Sequence, residues 1–197
     1  VDVITGGNHS LRRREIQDYL DDHPNLLRPA NYPGECYGQG WCRLDLGSCT
    51  LLVISLLGQV YMEPIGSPFA CADAILEKET ADFVLVDFHA EATGEKMALG
   101  YYLDGRVSAV AGTHTHVQTA DETILPGGTA YISDLGMTGP IRSILGVKPE
   151  NILRRMTTYL PTRFEVPGNV PCKLEGIVLD LDKKTGKCIK IRRIRLL

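Results

Sequence analysis

The run Phe83-Val84-Leu85-Val86-Asp87-Phe88 constrains the fold more than any other stretch of the chain. It is apolar almost without interruption and too short to stand as a helix. It reads as a strand buried on both faces, as parallel sheets between layers require. Residues 107–111 and 129–132 read as further strands of this kind. Between them lie helical patterns. One is predicted over 10–22, with Ser10 as N-cap and Leu11, Ile16 and Leu20 as its apolar stripe. Others are predicted over 68–79, with Pro68 in the first turn, and over 149–159, with Ile152, Leu153 and Met156 on one face.

Residues 1–5 alternate like a strand that ends at Gly6-Gly7. Segments 41–46 and 50–57 flank Gly47-Ser48 and predict a hairpin. Segments 176–182 and 187–196 predict a second one around Lys183-Lys184-Thr185-Gly186. Two prolines and a glycine make 28–34 a loop. Strands mixed with helices place the chain in the α/β class. With 197 residues and no linker or repeat, it reads as one domain over 1–197.

Composition removes several classes. With 44% hydrophobic and 23% charged residues, the chain is neither disordered nor collagen-like. A net charge of -3 supplies no global positive field for nucleic acid. The alternating basic residues of 187–195 read as an edge strand guarded by charge. Leu51 to Leu57, the longest apolar stretch, is far short of the roughly 20 residues of a membrane helix. The opening residues do not form a signal peptide. Six cysteines without a C-x-x-C pair argue against a zinc ribbon and for reduced thiols in a cytoplasmic protein.

Four of the five histidines fall at predicted strand ends: His9, His89, His114 and His116. The fifth, His23, sits beside Pro24 at a helix end and reads as a surface residue. His114 and His116 are two apart, so extended backbone aims both imidazoles to one side. Asp87 and His89 share that spacing. Ligands collect at the carboxyl ends of strands in open α/β sheets. The convergence predicts a metal held by N and O donors, which suits Mn, Fe or Zn. A hydrogen-bonded pair of loop histidines is the plain alternative. No G-x-S-x-G elbow or Walker P-loop is present.

The stretches Gly6-Gly7-Asn8-His9, Asp87-Phe88-His89-Ala90-Glu91-Ala92-Thr93, Gly112-Thr113-His114-Thr115-His116 and Ser133-Asp134-Leu135-Gly136-Met137-Thr138-Gly139-Pro140 resemble the YmdB-type branch of the calcineurin-like metallophosphoesterases. Arg28-Pro29-Ala30-Asn31-Tyr32-Pro33 adds to the resemblance, which spans essentially the whole chain. It implies a sandwich of two mixed β-sheets flanked by helices. It also implies a 2′,3′-cyclic-nucleotide 2′-phosphodiesterase acting on a small nucleotide phosphodiester, with two divalent transition-metal ions. By that resemblance Asn8, His89 and His114 hold one metal, His116 helps hold the other, and His9 is the general acid.

Two departures qualify the match. The family's first strand, with a metal-binding Asp, and its Glu-Asn pair would fall before Val1. The expectation is therefore an N-terminally incomplete domain lacking a βαβ portion. Family members also usually carry Thr-Trp-Asp after Asn-His, where this chain has Ser10-Leu11-Arg12. Arg12 to Arg14 read as a solvated helix face. Two other functions stay open: a non-catalytic scaffold with an incomplete metal site, and a capsule-synthesis-type metallophosphatase-like protein. Homo-oligomerisation is equally open.

Overall fold

Parallel pairing of apolar runs organises the molecule, whose computed structural model describes all 197 residues. In chain order the elements are β1 (Ile4–Thr5), a 3-10 turn (Arg14–Ile16), α1 (Gln17–Asp22), β2 (Leu26–Leu27), β3 (Trp41–Asp45), β4 (Thr50–Leu57), α2 (Pro68–Leu76), β5 (Phe83–His89) and α3 (Thr93–Tyr102). They continue with β6 (Ala109–Thr113), β7 (Thr123–Ile124), β8 (Ala130–Ile132), β9 (Gly139–Pro140), α4 (Pro149–Thr158), β10 (Cys172–Leu181) and β11 (Cys188–Leu196). The main sheet runs β3-β4-β5-β6-β8-β7. Its centre, from β4 to β8, is parallel, and the flanking strands β3 and β7 pair antiparallel.

One face of this sheet is dry. Leu52, Ile54, Leu56, Val84, Val86 and Phe88 pack there against Ala72 and Ile75 of α2 and Leu99 of α3. Ser67 caps α2 by accepting the Ala70 N–H at 3.4 Å. The other face meets the antiparallel sheet β11-β10-β9. Between the two lies an apolar cleft of about 470 Å³, lined by Leu51, Phe83, Leu85 and Ala111 on one side and by Ile177 and Leu179 on the other. β5 is thus buried fully on one face and only partly on the other, short of the two-sided burial its sequence predicts. β11 is the edge strand its charges suggest, with Arg193 paired to Glu122 and Arg195 to Glu175.

The α/β class and the two packed sheets agree with expectation, although the smaller sheet is wholly antiparallel rather than mixed. The helix expected over 10–22 is only half formed. Ser10 does not cap it: its hydroxyl donates to the Gly7 carbonyl at 2.7 Å and closes a turn. Helix begins at Gln17, with Leu20 buried. Helix α3 is unanticipated. Its inward stripe of Lys96, Leu99 and Gly100 mixes a charge and a glycine with one apolar residue, which erases the amphipathic signal. No helix is long and apolar enough to cross a membrane. All six cysteines are free.

The 28–34 loop is firmly tied. Arg28 and Asn31 are both buried. The Asn31 amide donates to the Leu57 carbonyl at 2.8 Å and accepts the Leu57 N–H at 2.9 Å, extending the hydrogen bonding of β4 by one side chain. Arg28 donates to the carbonyls of Tyr37 and Pro29. These bonds fix the loop beside the carboxyl end of the sheet.

Candidate active site

Adjacent strand ends deliver the chemistry. His89 is the last residue of β5 and lies in register with Thr113, the last residue of β6. β1, which pairs parallel with β2, ends nearby, and Gly6 bridges β2 and β4 by donating to the Leu27 carbonyl while accepting from the Ser55 hydroxyl. Gly7 must lack a side chain, because a Cβ there would overlap the His89 ring. That close approach places Asn8 against the imidazole, with Asn8 Oδ1 3.2 Å from His89 Nε2. His114 Nδ1 lies 3.1 Å from the same nitrogen, with the two rings 4.8 Å apart and nearly perpendicular.

The far side of each ring decides which nitrogen carries a proton. The Thr113 hydroxyl donates to Asp87 Oδ1 at 2.7 Å, so its oxygen is left to accept from His89 Nδ1–H at 3.0 Å. His114 Nε2 lies 3.0 Å from Glu91 Oε2, which calls for an N–H at that position. Nε2 of His89 and Nδ1 of His114 are thereby left as lone pairs. With the Asn8 oxygen and His114 Nδ1 both set against His89 Nε2, three acceptors are brought together, an arrangement that a bound cation satisfies. Burial, reinforced by His114 and Lys96, lowers His89 to about 4, so its ring is neutral near pH 7. Burial also raises Asp87 to about 6, against hydrogen bonds from Thr5 and Thr113.

The other two histidines stand at the rim. His116 is exposed, and its Nδ1 lies 3.2 Å from the Leu145 carbonyl. His9 is exposed on the turn after Asn8. Its pKa is lowered, first by partial burial, then by Arg12 and by His114, while Glu63 opposes the shift. Both His114 (φ 108°) and His116 (φ 64°) adopt left-handed backbone, which is rare for a side-chain-bearing residue and is associated with functional turns. No group of three or more His, Cys, Asp or Glu side chains is gathered for a single metal; the convergent set is two imidazoles and an amide. Glu95 reaches no histidine and accepts the N–H groups of Gln59 and Val60.

The family model for YmdB-like proteins matches residues 1–194. The chain belongs to the YmdB-like family. It is 50% identical over 195 residues to a 2′,3′-cyclic-nucleotide 2′-phosphodiesterase of Bacillus subtilis (strain 168), covering 98% of this chain and 74% of that relative. Among solved structures, a hypothetical protein from Thermus thermophilus superposes with a TM-score of 0.93 at 42% identity, covering 100% of this chain and 76% of that one. A novel phosphatase from Mycoplasma pneumoniae superposes with a TM-score of 0.91 at 34% identity, covering 100% and 72%.

Sequence reasoning named Asn8, His9, His89, His114 and His116, and the fold gathers Asn8, His89 and His114 into direct contact. It gave no role to Thr113 or Lys96. The signal for Thr113 was its place in the Gly-Thr-His-Thr-His run, one step before the histidines. The signal for Lys96 was a lysine spaced three and four residues from Leu99 and Gly100 on a helix face.

Proposed function

We propose that this YmdB-like chain is a metal-dependent phosphoric diester hydrolase that opens 2′,3′-cyclic nucleotides at the 2′ position. The single observation that carries the reading is the approach of Asn8 Oδ1 and His114 Nδ1 to the same atom, His89 Nε2, at 3.2 and 3.1 Å. Such N and O donors suit a divalent Mn, Fe or Zn ion. Asn8, His89 and His114 would hold one ion, and His116 would contribute to a second. Divalent metal in such a site supplies Lewis acidity and a nucleophile at neutral pH.

The chain's own residues perform the remaining work. Water bonds to phosphorus and releases one proton to solvent, the P–O2′ bond breaks, and the departing O2′ takes the proton carried by the His9 imidazolium, leaving a 3′-phosphate monoester and a neutral His9. In the unliganded site partial burial first, then Arg12 and the neighbouring histidines, disfavour that imidazolium. A bound phosphodiester anion brings the opposite field and restores it. Glu91 and the Thr113–Asp87 relay keep the two inner rings in the tautomers that leave the required lone pairs free. The substrate is a small nucleotide, residues 1–197 belong to one domain, and the setting is the cytoplasm.

Metal counting by plasma emission, combined with a substrate panel, tests this. The expected result is bound divalent metal and faster hydrolysis of 2′,3′-cyclic AMP than of 3′,5′-cyclic AMP or an aryl phosphodiester. His9→Ala should cut turnover by about 10²- to 10⁴-fold with metal content unchanged. His114→Ala should lose metal as well. An ordered chain that binds no metal and turns over none of the three would establish a scaffold instead.

A further inference from the structure

We propose that the buried Lys96–Asp134 ion pair is a positioning device for the His114–Thr115–His116 turn, acting through the Thr115 amide. The inference rests on the functional reading above, because it assigns that pair to the turn carrying two of the proposed ligands. Lys96 Nζ lies 2.9 Å from Asp134 Oδ2, with the side chains only 2% and 1% exposed. A pair this deeply buried is poor evidence for stability, since well-packed apolar residues commonly serve as well or better. Its contacts indicate what it does instead. The same Oδ2 accepts the N–H of Thr115 at 2.9 Å, between the two histidines. The other oxygen accepts the N–H of Gly136 at 2.9 Å. Asp134 is itself clamped to Thr119, whose hydroxyl accepts the Asp134 N–H and whose own N–H donates to the Asp134 carbonyl.

The turn needs such a tether. His114 and His116 both hold left-handed backbone, a conformation that persists only where surrounding contacts over-determine it. A charge-assisted bond at the residue between them restrains both. Lys96 supplies the compensating charge that lets a carboxylate remain at that depth. The route for its stem is also built in. Gly112 leaves the space, since a Cβ there would lie 3.1 Å from Lys96 Cδ and would overlap the Ser133 carbonyl. Helix α3 thus reaches beneath β6, and through this pair it holds the turn beyond.

The experiment uses the full metal-free chain, labelled with ¹⁵N. Thr115 is expected to show a protected amide in the wild type. In Lys96→Met, that protection should fall at least tenfold and the ring signals of His114 and His116 should move, while the Trp41 indole signal stays. Added Mn²⁺ should bind about 10- to 100-fold more weakly to the variant. If Lys96→Met does not fold, Lys96→Met/Asp134→Asn removes both charges and is read in the same way. Free exchange at Thr115 in the wild type overturns the proposal. So does unchanged protection with unchanged histidine signals in whichever variant folds. Absence of Mn²⁺ binding by the wild type would sink the functional reading alone, since the amide and ring signals still decide the tether.

Discussion

Val84, Val86 and Phe88 point into the dry layer beneath α2 and α3, whereas Phe83, Leu85, Asp87 and His89 of the same strand lie on the opposite face, where Phe83 and Leu85 line the cleft to the smaller sheet and Asp87 and His89 reach Thr113. The first set is fully enclosed and wholly apolar. The second begins apolar at the cleft and ends in an acid and an imidazole with perturbed proton affinities. A two-residue period therefore separates the residues that hold the sheet together from those that do chemistry. The lesson is that the two tasks can be damaged independently, even at neighbouring positions such as Phe88 and His89.

The strongest way to break this comparison is Phe88→Ala. The side chain is completely buried, so its loss should cost about 3–5 kcal/mol in urea unfolding. The molecules that remain folded should bind Mn²⁺ as the wild type does. A matching loss of metal affinity in the folded fraction would show that the two faces are not separate. Gly112→Ala comes next and strikes both faces at once. Its Cβ would run into the Ser133 backbone carbonyl, where nothing flexible can yield. We expect about 3 kcal/mol of destabilisation, at the upper end for overpacking, read from the same urea midpoint. A near-neutral result would mean that β8 slides freely against β6.

How far each face was legible follows from the same physics. The dry face announces itself, because continuous apolar runs have few other folded fates: β4, β5 and β8 fall where the runs place them, while β6, expected over 107–111, starts at Ala109 and runs through Gly112 to Thr113. The histidines were legible as types at strand ends, since Gly6-Gly7 and Gly112 mark where the backbone can turn or approach closely. What stayed hidden depended on pairing across the fold. Lys96 looks like any surface lysine until Asp134, 38 residues away, is brought against it. Ser10 looks like a cap until its hydroxyl turns back to Gly7. Local propensity cannot anticipate either, because the deciding partner is set by tertiary structure in one case and by a competing turn in the other.

Thr113→Val sharpens the comparison on the chemical face. The substitution keeps shape but deletes the hydroxyl between His89 and Asp87. His89 Nδ1–H then has no acceptor, and the ring loses its reason to keep Nε2 unprotonated. We expect Mn²⁺ affinity to fall about 10- to 100-fold, some 1.4–2.7 kcal/mol, measured by calorimetric titration. Long-range proton–nitrogen spectra should show His89 as a mixture of tautomers. Retained affinity with a single Nδ1–H tautomer would remove the hydroxyl relay from the account.

The smallest effect is expected at Glu175, on the smaller sheet that closes the cleft. Its burial raises the carboxyl, but Lys173, the Met137 N–H and Arg195 outweigh that and leave it lowered. A carboxyl depressed in the folded state contributes stability above its unfolded value of about 4.3, and that contribution is lost as pH falls through the folded value. The wild type should therefore lose melting temperature on going from pH 7 to acid partly through this group. Glu175→Gln should lower the melting temperature at pH 7 and show a shallower acid slope, with the two proteins converging in acid. Because Met137 and Gly136 lie in the segment that follows Asp134, parallel slopes for both proteins would mean that this side of the cleft is held by the apolar contacts of Ile177, Leu179 and Leu181 alone.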